Sequence, residues 1–314
     1  MRMHSHILLS LILVYAFQQS PTEKMDIPAL LRDAEQKTNQ NCVKHLESLS
    51  DYTYKLRFVK RERRKDGSFE EESQVLEVYV PDLKKARSRT RKLWPRILIE
   101  KNGRPIAPEK IETARRKFAE HWEKDEATPP DPNGRTVSNC QWEGRYSWLT
   151  GNYGVTKAGL VTSTYRLQTP AFLTTADFHS PQYETINGRK TISLMFTPRP
   201  NSTFDENMRW AAKAEGKIWI DAEDKVFTGV AMWPQKEKPA ETSAESLRKS
   251  SAIFYETVRM KDGLWFDSYR RFDAGRFPET ATIWKKEIVN ECFDYERFAV
   301  QAEKEKLLAP DKRP

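Results

Sequence analysis

Alternation of apolar and polar positions is clearest between Gly216 and Trp233, where two short strands flank a polar turn. Because successive side chains of a strand point to opposite faces, Ile218 and Ile220 share one face and Trp219 takes the other. One face of the return strand is predicted to carry Val226, Thr228, Val230 and Met232. The opposite face is predicted to carry Phe227, Ala231 and Trp233. Both faces are therefore apolar, so one is expected to meet a core and the other could line a cavity.

Three segments are predicted to be helical. Asp26–Leu49 and Pro108–Lys124 carry apolar residues at every third or fourth position, which is the spacing of a helix with one buried face. Pro108 suits the first turn of the second helix, because proline lacks the N–H that the helix cannot use there. A short helix is also predicted over Asp205–Ala214. The chain is expected to contain two or three helices.

Most of the remaining sequence is predicted to form strands joined by short turns. Tyr52–Arg61 alternates cleanly, and the following Asp66-Gly67 pair is a strong hairpin signal. Similar segments continue from Phe172 to Val300, interrupted by a predicted polar loop at Glu237–Ser246. Ten to twelve strands that pair with their sequence neighbours predict a mainly β (α+β) fold with an antiparallel sheet. A closed or half-closed barrel would limit the exposed edges of so many strands.

The chain is predicted to be one domain over residues 21–303. Residues 126–135 are rich in proline and are predicted to form a loop, but neither side of them has a separate core pattern. Residues 136–170 have an irregular pattern and are treated as an insertion. Residues 304–314 are predicted to be a charged tail.

Residues 1–20 have the features of a secretory signal peptide. Arg2 precedes an apolar run from Ile7 to Phe17, which is too short to span a bilayer comfortably. Cleavage is expected near residues 18–20, and an uncleaved membrane anchor is the alternative. No cysteine follows the run to accept a lipid. The protein is therefore expected to be exported to the periplasm.

The charge balance is basic, with 53 Lys and Arg residues against 45 Asp and Glu residues and a net charge of +8. Such a balance favours acidic partners, and export makes an anionic membrane surface a better candidate than nucleic acid. Arg87, Arg89 and Arg91 would share one face of an extended strand, where each could contribute about 1 kcal/mol near anionic lipid. The alternative is a charged edge strand that discourages sheet pairing.

No motif for catalysis, metal binding or a cofactor is present. The three cysteines are widely spaced and odd in number, so one disulfide is possible but its pairing stays open: Cys42, Cys140 and Cys292. The sequence lacks a nucleophile elbow, paired histidines and a glycine-rich phosphate loop. No enzyme activity, catalytic residue, metal site or cofactor is predicted.

Aromatic residues on consecutive strands are the candidate ligand-binding residues. They are Trp219, Phe227, Trp233, Phe254, Trp265, Tyr269 and Trp284. They could form an ordinary core, or they could line a barrel that encloses an apolar ligand.

Several short motifs resemble a known group of exported bacterial proteins. The motifs are Asp51–Tyr54, Lys101–Glu109, Ile186–Lys190, Phe196–Pro200, Gly216–Asp221, Gly263–Trp265 and Phe293–Phe298. In this order they resemble exported proteins of the acidobacterial type that are similar to LolA-like carriers, which sort lipoproteins to the outer membrane. The resemblance covers most of residues 26–300.

This resemblance implies an incomplete antiparallel barrel of about eleven strands with helices as a lid. It implies a periplasmic carrier or binding protein that holds a lipid, an acyl chain or an acylated protein in the barrel. It transfers no individual ligand-binding residue to this sequence. The alternative function is an envelope sensor or protein-interaction module on the same scaffold, with no transported ligand.

Overall fold

The computed structural model describes residues 25–48, 52–64, 66, 68–79, 96–126, 154–155, 161–162, 175–200, 202, 212–277 and 286–297. Its helices are α1 (Ile27–Ser48), α2 (Pro108–Glu126) and α3 (Ala244–Ser250). Its strands are β1 (Tyr52–Arg63), β2 (Phe69–Val78), β3 (Arg96–Lys101), β4 (Arg104–Pro105), β5 (Gly154–Val155), β6 (Val161–Thr162), β7 (Ala176–Ile186), β8 (Arg189–Pro198), β9 (Ala214–Asp221), β10 (Phe227–Pro234), β11 (Ile253–Arg259), β12 (Trp265–Phe272) and β13 (Lys286–Arg297).

One open antiparallel sheet of eleven strands dominates the described residues. Its order is β4-β3-β2-β1-β13-β12-β11-β10-β9-β8-β7, and β5 pairs only with β6. Two meanders thus meet where β1 pairs with β13, and the chain between β4 and β7 passes from one edge of the sheet to the other. The predicted mainly antiparallel β fold of about eleven strands in an incomplete barrel is confirmed.

Apolar side chains collect in three clusters. The α1 cluster consists of Leu30, Ala34, Ala176, Ile192, Leu194, Phe196, Ala214, Ile218, Ile220, Phe227, Val230, Met232, Ala252, Ile253 and Phe277. The β1–β3 cluster consists of Tyr54, Leu56, Leu76 and Val78, with Leu98, Cys292 and Tyr295 packed against it. The α3 cluster consists of Trp219, Ala231, Trp233, Leu247 and Phe254, with Ile186, Met195, Ala244 and Tyr269 packed against it.

Strand register shows which clusters share a face of the sheet. Residues directly opposite each other in an antiparallel pair project to the same face. Ile253 of the α1 cluster lies opposite Phe272, which lies opposite Ile288. Cys292 lies four residues beyond Ile288 on β13, so it projects to that face, where it lies opposite Leu56 of the β1–β3 cluster. The α1 and β1–β3 clusters therefore share the α1 face, and the α3 cluster occupies the opposite α3 face.

The predicted side-chain alternation in the β9–β10 hairpin is correct for β9 and wrong at Phe227. Ile218 and Ile220 join the α1 cluster while Trp219 joins the α3 cluster. The register shifts between Phe227 and Gly229, as in a β-bulge. The shift turns Phe227 to the same face as Val230, because an extra residue reverses the alternation before it.

The two long predicted helices are confirmed, and the third differs from the prediction. Residues 203–211 lie outside the described residues, and Ala214 begins β9 rather than ending a helix. Instead α3 forms at the end of the predicted polar loop Glu237–Ser246. Ser243 caps it by accepting a hydrogen bond from the Ser246 N–H at 3.3 Å, and Leu247 is fully buried. A single buried residue gives no periodic signal, which is why the pattern missed this helix.

None of the helices in the described part of the chain combines the length and the hydropathy that a membrane span requires.

Gly216→Ala is expected to lower the free energy of unfolding by about 3 kcal/mol, at the high end for overpacking. A Cβ at Gly216 would lie 2.2 Å from the backbone oxygen of Ala231 and 2.2 Å from the Phe196 ring, so the hairpin would have to open. Gly188→Ala is the control, because nothing lies within 4 Å of its Cβ and only its positive φ is strained. We expect that control to cost about 1 kcal/mol. Chemical denaturation measures both, and equal losses would contradict the predicted close packing.

Candidate functional site

A row of polar and aromatic side chains crosses the α1 face between the two apolar clusters. Tyr255 on β11 lies opposite Arg270 on β12, and Arg270 lies opposite Asn290 on β13. Asn290 lies opposite Phe58 on β1. Asn290 is 7% exposed, and its side-chain oxygen Oδ1 has no hydrogen-bond partner. Buried acceptors are rarely left unpaired in folded proteins, so this atom is a candidate contact for a ligand.

Asp267 links three of the strands that carry this row. The Tyr255 hydroxyl donates to Asp267 Oδ1 at 2.5 Å, and Arg270 forms an ion pair with the same carboxylate. The Tyr295 hydroxyl donates to the backbone oxygen of Asp267 at 2.6 Å. These bonds hold the polar side chains of β11, β12 and β13 in one arrangement.

Arg96 extends the arrangement towards β3. Its Nη2 donates to the Tyr54 hydroxyl at 3.1 Å, and its guanidinium lies 5.9 Å from the centre of the Tyr54 ring. The Tyr54 and Tyr295 ring centres are 5.1 Å apart. A continuous set of contacts therefore runs from Arg96 through two tyrosines to Arg270. We call the whole set the polar patch: Tyr54, Arg96, Tyr255, Asp267, Arg270, Asn290, Cys292 and Tyr295.

Burial affects the ionisation of three side chains in the polar patch. Burial raises the pKa of Tyr255 and Cys292, and it raises the pKa of Tyr295 well above its ordinary value. These three groups are therefore neutral at pH 7. Each of the three side chains is half-buried.

Helix α1 covers only part of this face. Its contacts concentrate on β7, β10 and β12. The Thr38 hydroxyl accepts from the Phe227 N–H at 2.9 Å, and Asn41 bonds both the N–H and the carbonyl of Trp265 at 3.0 and 3.2 Å. The helix is thereby fixed over the α1 cluster, at the starts of β10 and β12.

The predicted ligand-binding aromatics do not form one lining. Four of them lie in or against the α3 cluster, where the first three are at most 2% exposed: Trp219, Trp233, Phe254 and Tyr269. Phe227 lies in the α1 cluster. The Trp265 indole N–H donates to Asp224 Oδ2 at 2.9 Å, in the turn of the β9–β10 hairpin. Trp284 lies outside the described residues. Their role in ligand binding stays a prediction.

Several other predicted positions also lie outside the described residues. They are Arg87, Arg89, Arg91 and Cys140, together with the side chain of Cys42. Cys292 is described and is a free thiol. In the part of the chain that the structure describes, no three His, Cys, Asp or Glu side chains group so that they could hold a metal ion.

Sequence reasoning noted Tyr54, Cys292 and Tyr295 of the polar patch, but none of them as a binding residue. The patch assembles because β13 pairs with both β1 and β12, which lie far apart along the chain. Two weak signals were present. Arg270 and Asn290 each interrupt a predicted strand near apolar residues, and both could have been taken as polar groups facing inwards.

One buried ion pair outside the patch, between Lys217 and Glu184, is well partnered. Lys217, 3% exposed, forms an ion pair with Glu184 and donates to the Thr242 carbonyl at 2.9 Å. Glu184 also accepts from the Trp219 indole N–H at 3.0 Å and the Ser193 hydroxyl at 2.8 Å. Both charges of this ion pair have partners, so the pair stabilises the α3 face, although the nearby indole N–H of Trp233 is buried without one.

A hollow of about 510 Å³ lies at the β3–β4 turn. Its lining is Lys101, Asn102, Arg104, Pro105 and Ile106. The lining has no aromatic side chain and consists of exposed and half-buried turn residues, so it lacks the apolar wall of a ligand site.

Comparisons with known proteins find solved structures that resemble this chain, but with low sequence identity and low TM-scores. No protein-family profile matches the chain, and no curated protein matches it significantly. A DUF1329 family protein from Desulfovibrio piger shares 10% identity over 87% of this chain and 94% of its own, with a TM-score of 0.31. A putative outer membrane lipoprotein-sorting protein domain from Vibrio parahaemolyticus shares 8% identity over 85% and 91%, with a TM-score of 0.28. A LolA superfamily protein from Nitrosomonas europaea shares 10% identity over 83% and 93%, with a TM-score of 0.20.

One of these three structures is described as a putative outer membrane lipoprotein-sorting domain, and another as a LolA superfamily protein. Their TM-scores lie below 0.5, so the similarity carries no argument about ligand or site. The functional argument depends on the side chains of this chain alone.

Asp221→Asn is expected to lower the free energy of unfolding by about 2 kcal/mol at pH 7. Asp221 is fully buried and binds Arg189 at 2.6 and 2.9 Å. Burial raises the pKa of Asp221, but Arg189 and the N–H groups of Glu223 and Asp224 outweigh it and lower the pKa overall. A carboxylate with a lowered folded pKa stabilises the protein above its unfolded pKa of about 3.9, and this stabilisation is lost as pH falls through the folded pKa.

Glu223→Gln is the matched control, because Glu223 binds the same arginine at 3.1 Å but is 78% exposed. We expect it to change stability by less than about 0.5 kcal/mol. Denaturation series between pH 7 and pH 3 test both variants, and the acid loss should be shallower in Asp221→Asn. An unchanged acid slope in that variant would contradict the assigned role of Asp221.

Proposed function

We propose that the protein is an exported binding protein or carrier for lipids, acyl chains or acylated proteins, and that it holds an amphipathic ligand on the α1 face. The observation that carries this proposal is the buried, unpartnered Oδ1 of Asn290, which lies in a polar patch between two apolar clusters on one face. An amphipathic ligand fits this arrangement, because its polar head would contact the polar patch and its apolar chain would cover side chains of a neighbouring cluster.

The β1–β3 cluster is the better place for the acyl chain. Helix α1 already packs on the α1 cluster, whereas its described contacts do not concentrate on β1, β2 or β3. Leu98, Cys292 and Tyr295 border the β1–β3 cluster and are only half-buried. Each buried methylene contributes about 0.8 kcal/mol, so a long acyl chain could supply useful affinity after the costs of association.

The α3 face is a less suitable site for a ligand. Leu247 of α3 closes the α3 cluster, and Trp219, Trp233 and Phe254 are at most 2% exposed. A ligand there would have to displace α3. If the predicted aromatic residues contact ligand, they would do so only after that displacement.

Export and membrane contact belong to the same proposal. The apolar run at residues 7–17 supports export to the periplasm, and the arginines at 87, 89 and 91 support contact with an anionic membrane during loading or delivery. No catalytic residue is part of the proposal.

Binding of lipids with sixteen-carbon chains to the protein purified from the periplasm tests this function, with native mass spectrometry as the readout. We expect co-purified or added lipid on the wild type. Leu98→Gln is expected to weaken binding about tenfold, since it places an amide in the apolar wall. Ile186→Gln is the matched control, because Ile186 is also half-buried but packs on the α3 face.

Two outcomes would count against the proposal. If no lipid binds to the wild type, the sensor or protein-interaction function becomes the better one. If Ile186→Gln weakens binding as much as Leu98→Gln, the ligand does not lie on the α1 face.

A further inference from the structure

The row of side chains that crosses the α1 face continues to the edge of the sheet. Phe58 lies opposite Gln74, Gln74 lies opposite Lys101, and Lys101 lies opposite Arg104. Because opposite residues project to the same face, Lys101 and Arg104 project from the α1 face. Both residues are exposed, so a ligand can reach them without any movement of the sheet.

These two cations line the hollow of about 510 Å³ at the β3–β4 turn. Lys101 forms an ion pair with Glu72 at 3.1 Å, but the two side chains are 50% and 41% exposed, and such pairs contribute little to stability. The Arg104 guanidinium has no ion-pair partner among the residues that the structure describes. The hollow therefore presents positive charge to the solvent.

The turn also fixes a hydrogen-bond donor at the hollow. The Asn102 N–H donates to the Ser73 carbonyl at 2.8 Å, and Asn102 Oδ1 accepts from the Ser73 N–H at 2.9 Å. The side-chain NH2 group of Asn102 is left as a donor, and Asn102 lines the hollow. Asn102 and Gly103 both have positive φ angles, as in a tight two-residue hairpin turn. An anion in the hollow would meet two cations and one fixed amide donor.

An apolar row on the same face begins beside the hollow. Leu98 precedes the turn on β3 and lies opposite Leu76, which lies opposite Leu56. Leu56 lies opposite Cys292 on β13. This row crosses four strands, a distance of about 14 Å over three spacings between strands. The hollow has no apolar wall, so it suits a hydrated anionic group, whereas the row suits an acyl chain.

We propose that the hollow binds the anionic group, a phosphate or a carboxylate, of a lipid whose acyl chain lies along the apolar row. This inference rests on the proposed lipid-binding function and narrows its ligands to anionic lipids. It also gives the ligand a direction, with the charged group at the open edge of the sheet and the chain running from β3 towards β13. The half-buried polar patch is left for uncharged polar atoms of the ligand.

Two lipids with the same palmitoyl chain test the proposal. Palmitoyl lysophosphatidylglycerol carries one negative charge, and 1-palmitoylglycerol carries none. Each exposed charge contact contributes up to about a fivefold gain, so we expect the charged lipid to bind about tenfold more tightly at low ionic strength. This preference should shrink as salt is added, because exposed charges are screened. Titration of the protein purified from the periplasm, with both lipids kept below micelle-forming concentrations, measures the dissociation constants.

Substitutions at the hollow separate the charge from the chain. Arg104→Gln is expected to reduce the tenfold preference to about threefold, and the double variant Lys101→Gln, Arg104→Gln is expected to abolish it. Neither change should alter the binding of 1-palmitoylglycerol, because the removed charges lie outside the apolar row. Leu98→Gln, in contrast, should weaken the binding of both lipids by the same factor.

Lys261→Gln is the matched control for the loss of one positive charge. Lys261 is an exposed cation in the turn between β11 and β12. In that turn, Asp262 accepts a hydrogen bond from the Tyr52 hydroxyl at the start of β1, whereas the hollow lies near the start of β2. The control should therefore keep the tenfold preference. A loss as large as that in Arg104→Gln would show that only the net charge of the protein matters, and it would overturn the assignment of the hollow.

The outcomes separate this inference from the proposed function. Equal binding of the two lipids to the wild type would overturn the inference and leave lipid binding in place. Binding of neither would overturn the proposed function, and the inference with it. Glycerol phosphate without an acyl chain is the last ligand. If it binds as tightly as the charged lipid does, the hollow is a site for free phosphate and the lipid assignment is wrong.

Discussion

The pairing of β1 with β13 is the interaction on which the rest of the structure depends. It joins the meander of β1 to β4 to the meander of β7 to β13, and it runs from Tyr52 opposite Arg297 to Glu62 opposite Lys286. Ion pairs such as Arg57–Glu291 at 2.7 Å line it, but exposed pairs contribute at most about 1 kcal/mol each. Backbone hydrogen bonds of the strand pair and apolar contacts on the α1 face, beside the buried Leu56, therefore supply most of its stability. Without this pairing the polar patch would not form, and the β1–β3 cluster would lose its contacts with Cys292 and Tyr295.

The two faces of the sheet differ in what packs over their buried polar groups. On the α3 face, the buried Lys217 and Glu184 pair with each other, and Leu247 of α3 packs in the cluster that contains the unpartnered indole N–H of Trp233. On the α1 face, Arg270 lies opposite Asn290, and the Oδ1 of Asn290 is buried without a partner. A buried polar atom without a partner is a place where another molecule could supply the missing hydrogen bond. Because α3 already packs over the unpartnered group on the α3 face, the α1 face is the better candidate for function.

Local pattern predicted the elements well and their assembly poorly. Alternation over Tyr52–Arg61 and periodicity in the first two helices depend on neighbouring residues, so they are visible in sequence. The bulge after Phe227 reverses a side chain by adding one residue, which a period of two cannot reveal. The polar patch was missed for a different reason. Arg96 and Arg270 meet the same β13 residues only because strands from opposite ends of the chain pair, and one sequence contains no signal for that register.

The unpartnered acceptor of Asn290 is the strongest argument that the α1 face binds something. A buried polar atom without a hydrogen bond lowers the free energy of unfolding by about 1–3 kcal/mol. An apolar residue of similar size at that position would carry no such desolvation penalty. Ile288 on the same strand and face shows that an apolar side chain packs well nearby. A ligand that donates to Oδ1 recovers the lost free energy on binding, so the same atom that weakens the free protein stabilises the complex.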